Sequence, residues 1–272
     1  MSAKCLYLKH FNFFGERTFS KLQTIYWARK LKNGDFYEKE IDLLPCFIQP
    51  GSIAIDIGAN FGQYTYPLSK LVGSTGKVFS IEPVKYNFEI LKNIVKKLNL
   101  TNVELQNIAL GDKNGEVEII TPVDNSGLPN IGLSYICNSE ENKESKRETV
   151  KILTLDELTK NLPSSKKVKF VKCDVEGAEM MVFAGGKNFL SEFQPIILCE
   201  IEERHTKRYN YNPDILFKFL KNLGYEAFIL KSGKLIQVQE IKKFSINYIF
   251  IHKSVAIKNE TNKSSQGFNN YS

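Results

Sequence analysis

AIDIGANFGQYT, residues 54–65, carries the reading from which the fold follows. Ser52-Ile53-Ala54-Ile55-Asp56-Ile57 is a buried strand by its continuous apolar and β-branched run, interrupted by one acid near its end. Gly58 and Gly62 then permit backbone conformations and close approaches that a Cβ would block. That combination predicts a tight turn that opens a helix and faces a ligand.

Outward from this turn the pattern alternates. Strands are expected over 52–57, 77–81 and 103–108, with helices over 63–72 and 84–98. Phe88, Leu91, Ile94, Val95 and Leu98 keep helical spacing along one face of the second helix. This is a βαβαβ unit with a parallel sheet. Residues 115–152 break the rhythm. Glu116–Ile120 alternates like a half-buried strand, a Gly, Asn and Ser-rich loop runs from Asp124 to Ser145, and an antiparallel hairpin closed by Thr149–Leu153 is expected. Thr154-Leu155-Asp156-Glu157 fits a capping box. Further strands are expected at Val168–Cys173 and Pro195–Cys199, with one helix over 178–190 between them, and another from Pro213 to Gly224. The strands Tyr225–Leu230 and Ile246–His252 lie too close in sequence for a helical crossover and should pair antiparallel. The expected fold class is therefore α/β, mostly parallel, with an antiparallel C-terminal strand pair. Residues 1–50 read as an N-terminal cap with a helix from Lys21 to Lys32, residues 51–255 as one domain, and 256–272 as a polar, disordered tail. A binding crevice is expected where the first strand meets Val168–Cys173.

Composition narrows the class. A chain of 272 residues, 42% hydrophobic, has material for a large core. Net charge is +7, from 37 Lys+Arg against 30 Asp+Glu, but the basic residues are scattered among acids, as on a solvated surface. The five cysteines contain no CxxC pair, and Cys173 and Cys199 lie in apolar runs, as buried thiols of a reducing compartment do. No run approaches the roughly 18 apolar residues of a membrane helix, and a cytoplasmic protein is expected.

The turn does not suit a dinucleotide. G-x-G-x-x-G is absent, and Asp56 would repel a pyrophosphate yet attract an ammonium and a sulfonium. Glu82 ends the second expected strand 26 residues later (82 − 56), where an acid accepts hydrogen bonds from a ribose diol. Ammonium, sulfonium and ribose together describe S-adenosyl-L-methionine.

The ordered set DIGANFGQYT, IEP at 81–83, NIALGD at 107–112, LDEL at 155–158 and KCDVEGAE at 172–179 resembles the FkbM methyltransferases, over about residues 38–230. The resemblance implies the class I methyltransferase fold, Rossmann-like with a seven-stranded sheet and an antiparallel last strand, and O-methylation of a hydroxyl on a sugar, glycan or other natural product. It also implies that Asp56, Gly58, Asn60 and Gly62 line the methionine half of the cofactor, that Glu82 meets the ribose, and that Asn107 and Ala109 sit beside the adenine. The insertion and the N-terminal cap, which the cofactor fold does not need, are the expected walls of the acceptor pocket.

A second constellation lies downstream. Asp174 and Glu176 follow their strand at i and i+2, which in extended backbone points both the same way, while Glu179 reads as a helix-start carboxylate. Glu200 ends the neighbouring strand at the same height. Carboxylates that close raise a pKa or recruit a cation. Asp174 or Glu176 is the expected proton acceptor, with Glu200 and His205 behind them; a lone His in a charged loop is otherwise a solvated one. No full metal-ligand set can be read, so a metal stays open. A nucleic-acid acceptor is the alternative, supported by net charge alone, with no basic and aromatic patch behind it.

Overall fold

The computed structural model describes residues 3–35, 37–123, 130–137, 145–162 and 168–255, with side chains from residue 18 onward, Ile131 excepted. The tail expected after 255 and most of the 124–145 loop lie outside these residues. In chain order the elements are α1 (Ala3–Asn33), α2 (Leu44–Phe47), β1 (Ile53–Ile57), α3 (Thr65–Val72), β2 (Lys77–Ile81), α4 (Lys85–Lys97), β3 (Val103–Gln106), β4 (Ala109–Gly111), β5 (Gly115–Pro122), β6 (Tyr135–Ile136) and β7 (Ser145–Thr154). Then come α5 (Leu155–Thr159), β8 (Val168–Cys173), α6 (Glu179–Ala184), α7 (Lys187–Phe193), β9 (Ile196–Glu200), α8 (Glu203–Thr206), α9 (Pro213–Asn222), β10 (Tyr225–Lys231), β11 (Lys234–Val238) and β12 (Asn247–His252).

The main sheet runs β11-β10-β12-β9-β8-β1-β2-β3. β3, β2, β1, β8 and β9 are parallel, whereas β12 is antiparallel to both β9 and β10. The chain moves outward from β1 to β3 and returns to β8, so the strand order reverses between β1 and β8. In open α/β sheets the crevice lies at such a point, beyond the carboxyl ends of the strands.

All five residues of β1 are buried, as a central strand covered on both faces requires. α4 turns Ile90, Leu91 and Ile94 inward, and α9 buries Leu216 and Leu220, each fully buried leucine stabilising by about 1.5–3 kcal/mol. Asn212 accepts a hydrogen bond from the Asp214 N–H, with Pro213 in the first turn, which is why α9 begins there.

Four expectations need correction. The helix read as Lys21–Lys32 is the end of a 31-residue α1. Its end at Asn33 was legible, but upstream a dense aromatic run with Gly15 hides the helical period. Buried Ala28 and Leu31 of α1 pack on Ile90 and Ile94. The third strand stops at Gln106, and Ala109–Gly111 turns away to pair with β7. The insertion thereby becomes a four-stranded sheet, β4-β7-β5-β6, with β5 and β7 antiparallel as expected of the hairpin. The helix read over 178–190 is broken at Gly185-Gly186, because β4 crosses there: a Cβ on Gly185 would lie 2.0 Å from the Gly111 carbonyl oxygen. Finally, the main sheet has eight strands, not seven. β10 and β11 form a hairpin through Ser232-Gly233, both at positive φ (50° and 74°), the turn chemistry of a tight hairpin.

Candidate active site

Two loops build one end of the cleft. After β1 the backbone N–H groups of Gly58 and Ala59 both donate to the Ile81 carbonyl, holding the turn against β2. Gly58 has φ +80°, and a Cβ there would stand 1.8 Å from the Asp174 carbonyl oxygen. The ends of β1 and β8 are therefore in backbone contact, and only glycine fits. Gly62 serves packing instead: its Cβ would meet Leu91 at 2.9 Å, and it does not line the cleft.

Glu82, 4% exposed, binds both loops. Its Oε2 accepts the Asn60 N–H at 2.8 Å and its Oε1 the Val84 N–H at 3.0 Å. Burial pushes its pKa up to about 7, with the backbone donors pulling the other way. Asp56 accepts from Thr65 Oγ1 at 2.6 Å, and burial pushes it up to about 6. Asn60 Oδ1 is buried without a protein hydrogen-bond partner among the described residues. Such a group is an opening for a ligand donor. Ala109 lines the cleft with Ile108 and Leu110. Asn107 does not; exposed, it donates to the Glu82 and Pro83 carbonyls, both at 2.9 Å, and so pins the loop.

The opposite end is assembled from distant segments. Asp174 and Glu176 both line the cleft, but they do not point the same way. Glu176 has φ +56°, a left-handed conformation costly for a side-chain-bearing residue, and this swings it toward α8. There it meets His205 Nδ1 at 2.9 Å. His205 is buried, not solvated, and its pKa is raised, first by the hydrogen bond to Glu176, with burial opposing. The α8 backbone can come this close because of Gly177, whose Cβ would sit 2.5 Å from the His205 carbonyl oxygen. Glu179 has the helix-start role expected of it: its Oε1 accepts the Val175 and Gly177 N–H groups at 3.2 and 3.0 Å. Glu200 ends β9, and burial, then the Asp174 charge, pushes it up to about 8.

Four residues here were not read from the sequence. Lys172 is 3% exposed, 3.4 Å from Asp174 Oδ2, with its ammonium 5.1 Å from the centre of the Tyr64 ring. Burial lowers its pKa, yet Asp174, Glu200 and Glu38 outweigh burial and raise it above the ordinary lysine value. This ammonium is the cation that crowded carboxylates recruit. Glu38, from the segment after α1, accepts from Tyr64 at 2.6 Å and from Gln63 at 2.7 Å. Tyr135 of β6 covers the cleft beneath Arg208, whose guanidinium lies 3.5 Å from the ring centre and which donates to the Glu176 carbonyl. The one available signal was Lys172 itself, a lysine near the end of a strand that is apolar apart from the exposed Lys169, two residues before Asp174. Among the described residues no group of three or more His, Cys, Asp or Glu is arranged to hold a metal ion.

Together the walls border about 910 Å³ of space, open mouth included. No described helix is long and apolar enough to cross a membrane.

Comparison with known proteins places these features. Residues 56–227 match the methyltransferase FkbM domain. The chain is 25% identical over 167 residues to Methyltransferase 1 of Beauveria bassiana, a match covering 56% of this chain and 66% of that protein. Among solved structures it is similar to the FkbM methyltransferase of Methylobacillus flagellatus, at a TM-score of 0.47 and 12% identity, covering 86% of this chain and 59% of that one. It is also similar to a SAM-dependent methyltransferase of Aquifex aeolicus, at a TM-score of 0.42 and 19% identity, covering 82% and 98%. The match to the FkbM domain begins at Asp56 near the end of β1 and runs through β8, the strand that meets β1 at the cleft, and the chain belongs to the FkbM methyltransferase family.

Proposed function

We propose that this protein transfers the methyl group of S-adenosyl-L-methionine to a hydroxyl of a sugar, glycan or other small natural product. The observation that carries the reading is the pair of carboxylates, Asp174 and Glu176, lining the cleft beside the glycine turn, each backed by a basic side chain.

The residues at the first end fit the cofactor. Asn60 Oδ1 offers an unused acceptor, and Asp56 and Glu82 supply negative charge for an ammonium and ribose hydroxyls. Glu82 already accepts from Asn60, Val84 and Asn87, so of about four lone-pair sites one is left for the ribose rather than two. Bound there, S-adenosyl-L-methionine supplies a methyl group already activated on its sulfonium. The protein then has to hold the acceptor oxygen in line and accept its proton. We assign this to Asp174, which lines the cleft, with Glu176 as the second candidate and Glu200 and His205, outside the lining, as charges behind them. Gly132, Ser134 and Tyr135 from the inserted sheet and Glu38 from the N-terminal segment supply the acceptor wall. The buried free thiols Cys173 and Cys199 accord with a reducing cytoplasm.

Incubation with methyl-labelled S-adenosyl-L-methionine and a panel of sugars, glycans, polyhydroxylated natural products and RNA tests the reading. Label is expected in a methyl ether of a hydroxylated small molecule or glycan. Label confined to RNA, or label in nothing while the cofactor binds, would overturn the acceptor class.

A further inference from the structure

Lys172 is a buried ammonium with more donors than its surroundings use. It carries three N–H donors and, among the described residues, makes one long hydrogen bond, 3.4 Å to Asp174 Oδ2, besides its contact with the Tyr64 ring. It lines the cleft at 3% exposure, so water does not satisfy the remaining donors cheaply. The groups facing it are Asp174 at the end of β8, Glu200 and Cys199 at the end of β9, Asp56 in β1, Tyr64 before α3, and Glu38 and the buried Glu40 from the N-terminal segment. Glu38 is engaged by Gln63 and Tyr64, which leaves the cleft side, beside Asp174, as the open direction for an incoming oxygen.

Resting on the function proposed above, we infer that Lys172 is a further catalytic residue, one that donates a hydrogen bond to the acceptor hydroxyl while Asp174 receives that hydroxyl's proton. A hydroxyl meets this arrangement and an amine does not. The oxygen has two lone pairs, one to accept from Lys172 and one to attack. A neutral amine has a single lone pair, which the hydrogen bond would occupy, and an ammonium is repelled by Lys172. In the transfer the free lone pair forms the O–C bond and the C–S bond breaks with its electron pair staying on sulfur. The hydroxyl proton moves to the Asp174 carboxylate. Lys172 keeps its own proton and stabilises the negative charge that develops on oxygen. The site is thereby selective for hydroxyl over amine within one polyhydroxylated or aminated acceptor.

The test compares Lys172→Met and Lys172→Arg with wild type. S-adenosylhomocysteine affinity, which needs no acceptor, is expected to stay within about threefold in both variants. Carbon-detected NMR titration of the Asp and Glu carboxyls is expected to show Glu200, which the Lys172 charge holds down against burial and Asp174, titrating higher in Lys172→Met and recovering in Lys172→Arg. On whichever acceptor of the panel the wild type methylates, kcat should fall about 100-fold or more in Lys172→Met and be partly restored in Lys172→Arg. If the Glu200 titration is unmoved, or Lys172→Met turns over within threefold of wild type, Lys172 is a packing residue and the inference fails. A wild type that methylates amines in the panel also overturns it. A wild type that binds the cofactor and methylates nothing fails the functional proposal instead, and the carboxyl titration still decides the charge role of Lys172. Should Lys172→Met not fold, Lys172→Gln, which keeps a donor without the charge, gives the same titration.

Discussion

The two ends of the cleft hold their carboxylates by different means. At the β1 and β2 end, Glu82 and Asp56 are satisfied by backbone N–H groups and a hydroxyl from the turns that follow β1 and β2 and the start of α3, the Asn60 and Val84 amides and Thr65. At the β8 and β9 end, Asp174 and Glu176 are backed by the side chains of Lys172 and His205, and Glu200 stands beside them with a raised pKa. The first arrangement suits a ligand that brings its own positive charge. The second suits chemistry in which a proton must find a base. On the proposed function the difference separates binding from turnover, and substitutions at the two ends should separate them too.

The largest effect is expected from Asp174→Asn. The amide keeps the shape and cannot take a proton, so kcat should fall about 10²–10⁴-fold with S-adenosylhomocysteine affinity nearly unchanged. Steady-state kinetics on the identified acceptor, paired with calorimetry, decides it. Equal losses in binding and turnover would erase the division of labour between the ends.

At the other end, Glu82→Ala removes the acceptor proposed for the ribose, which also ties the Asn60 and Val84 amides together. Calorimetry should show S-adenosylhomocysteine binding weaker by about 1.5–3 kcal/mol, with a lowered melting temperature because two backbone donors lose their partner. Unchanged affinity would take the ribose away from Glu82.

Stability against pH probes both ends at once. Burial raises Asp56 to about 6, Glu82 to about 7 and Glu200 to about 8. Unfolded, these carboxyls ionise near pH 4, so between about pH 4 and 8 the folded state binds more protons and stability falls as pH rises. The His205 pair has the same sign: with a pKa raised by Glu176, its contribution is complete below the unfolded value and is lost as pH climbs through the raised one. A melting series should therefore show a lower melting temperature at pH 8 than at pH 5.5. Glu200→Gln should flatten the alkaline part of that slope and Glu82→Gln the part nearer neutrality. A flat or rising series would contradict the raised carboxyls.

The smallest effect is expected from Asn107→Ala. It loses two exposed hydrogen bonds to the Glu82 and Pro83 carbonyls, worth about 0.5–1.5 kcal/mol of stability, and should leave cofactor affinity within twofold. A large affinity loss in calorimetry would restore Asn107 to the adenine site.

The same contrast explains what could be read from the chain. The end proposed for the cofactor is local: the acid in β1, the glycine beside it and the acid ending β2 keep fixed offsets because one strand-turn-helix-strand unit sets them all. The sheet was legible for that reason, through its alternating buried strands. The acceptor end is not local. Asp174 and Glu200 could be named as strand-end acids, but nothing near Glu38 or Tyr135 in sequence shows that they meet at one cleft. Glu176 misled because its direction depends on a left-handed φ that its neighbour Gly177 and the crossing α8 backbone impose. His205 looked solvated because its partner lies 29 residues upstream (205 − 176), on another strand end. The β10–β11 hairpin was missed although Ser232-Gly233 carries ordinary turn chemistry; its strand alternation is weak because β11 exposes most of its side chains.

The central claim is that one cleft holds the cofactor at the β1 and β2 end and the proton acceptor at the β8 and β9 end. A crystal structure with S-adenosylhomocysteine tests it most directly. The account predicts a ribose hydroxyl donating to Glu82, the amino-acid portion under the Gly58–Asn60 turn, and the thioether sulfur opening toward Asp174 and Lys172. A ribose held elsewhere, or a sulfur facing away from Asp174, would contradict it.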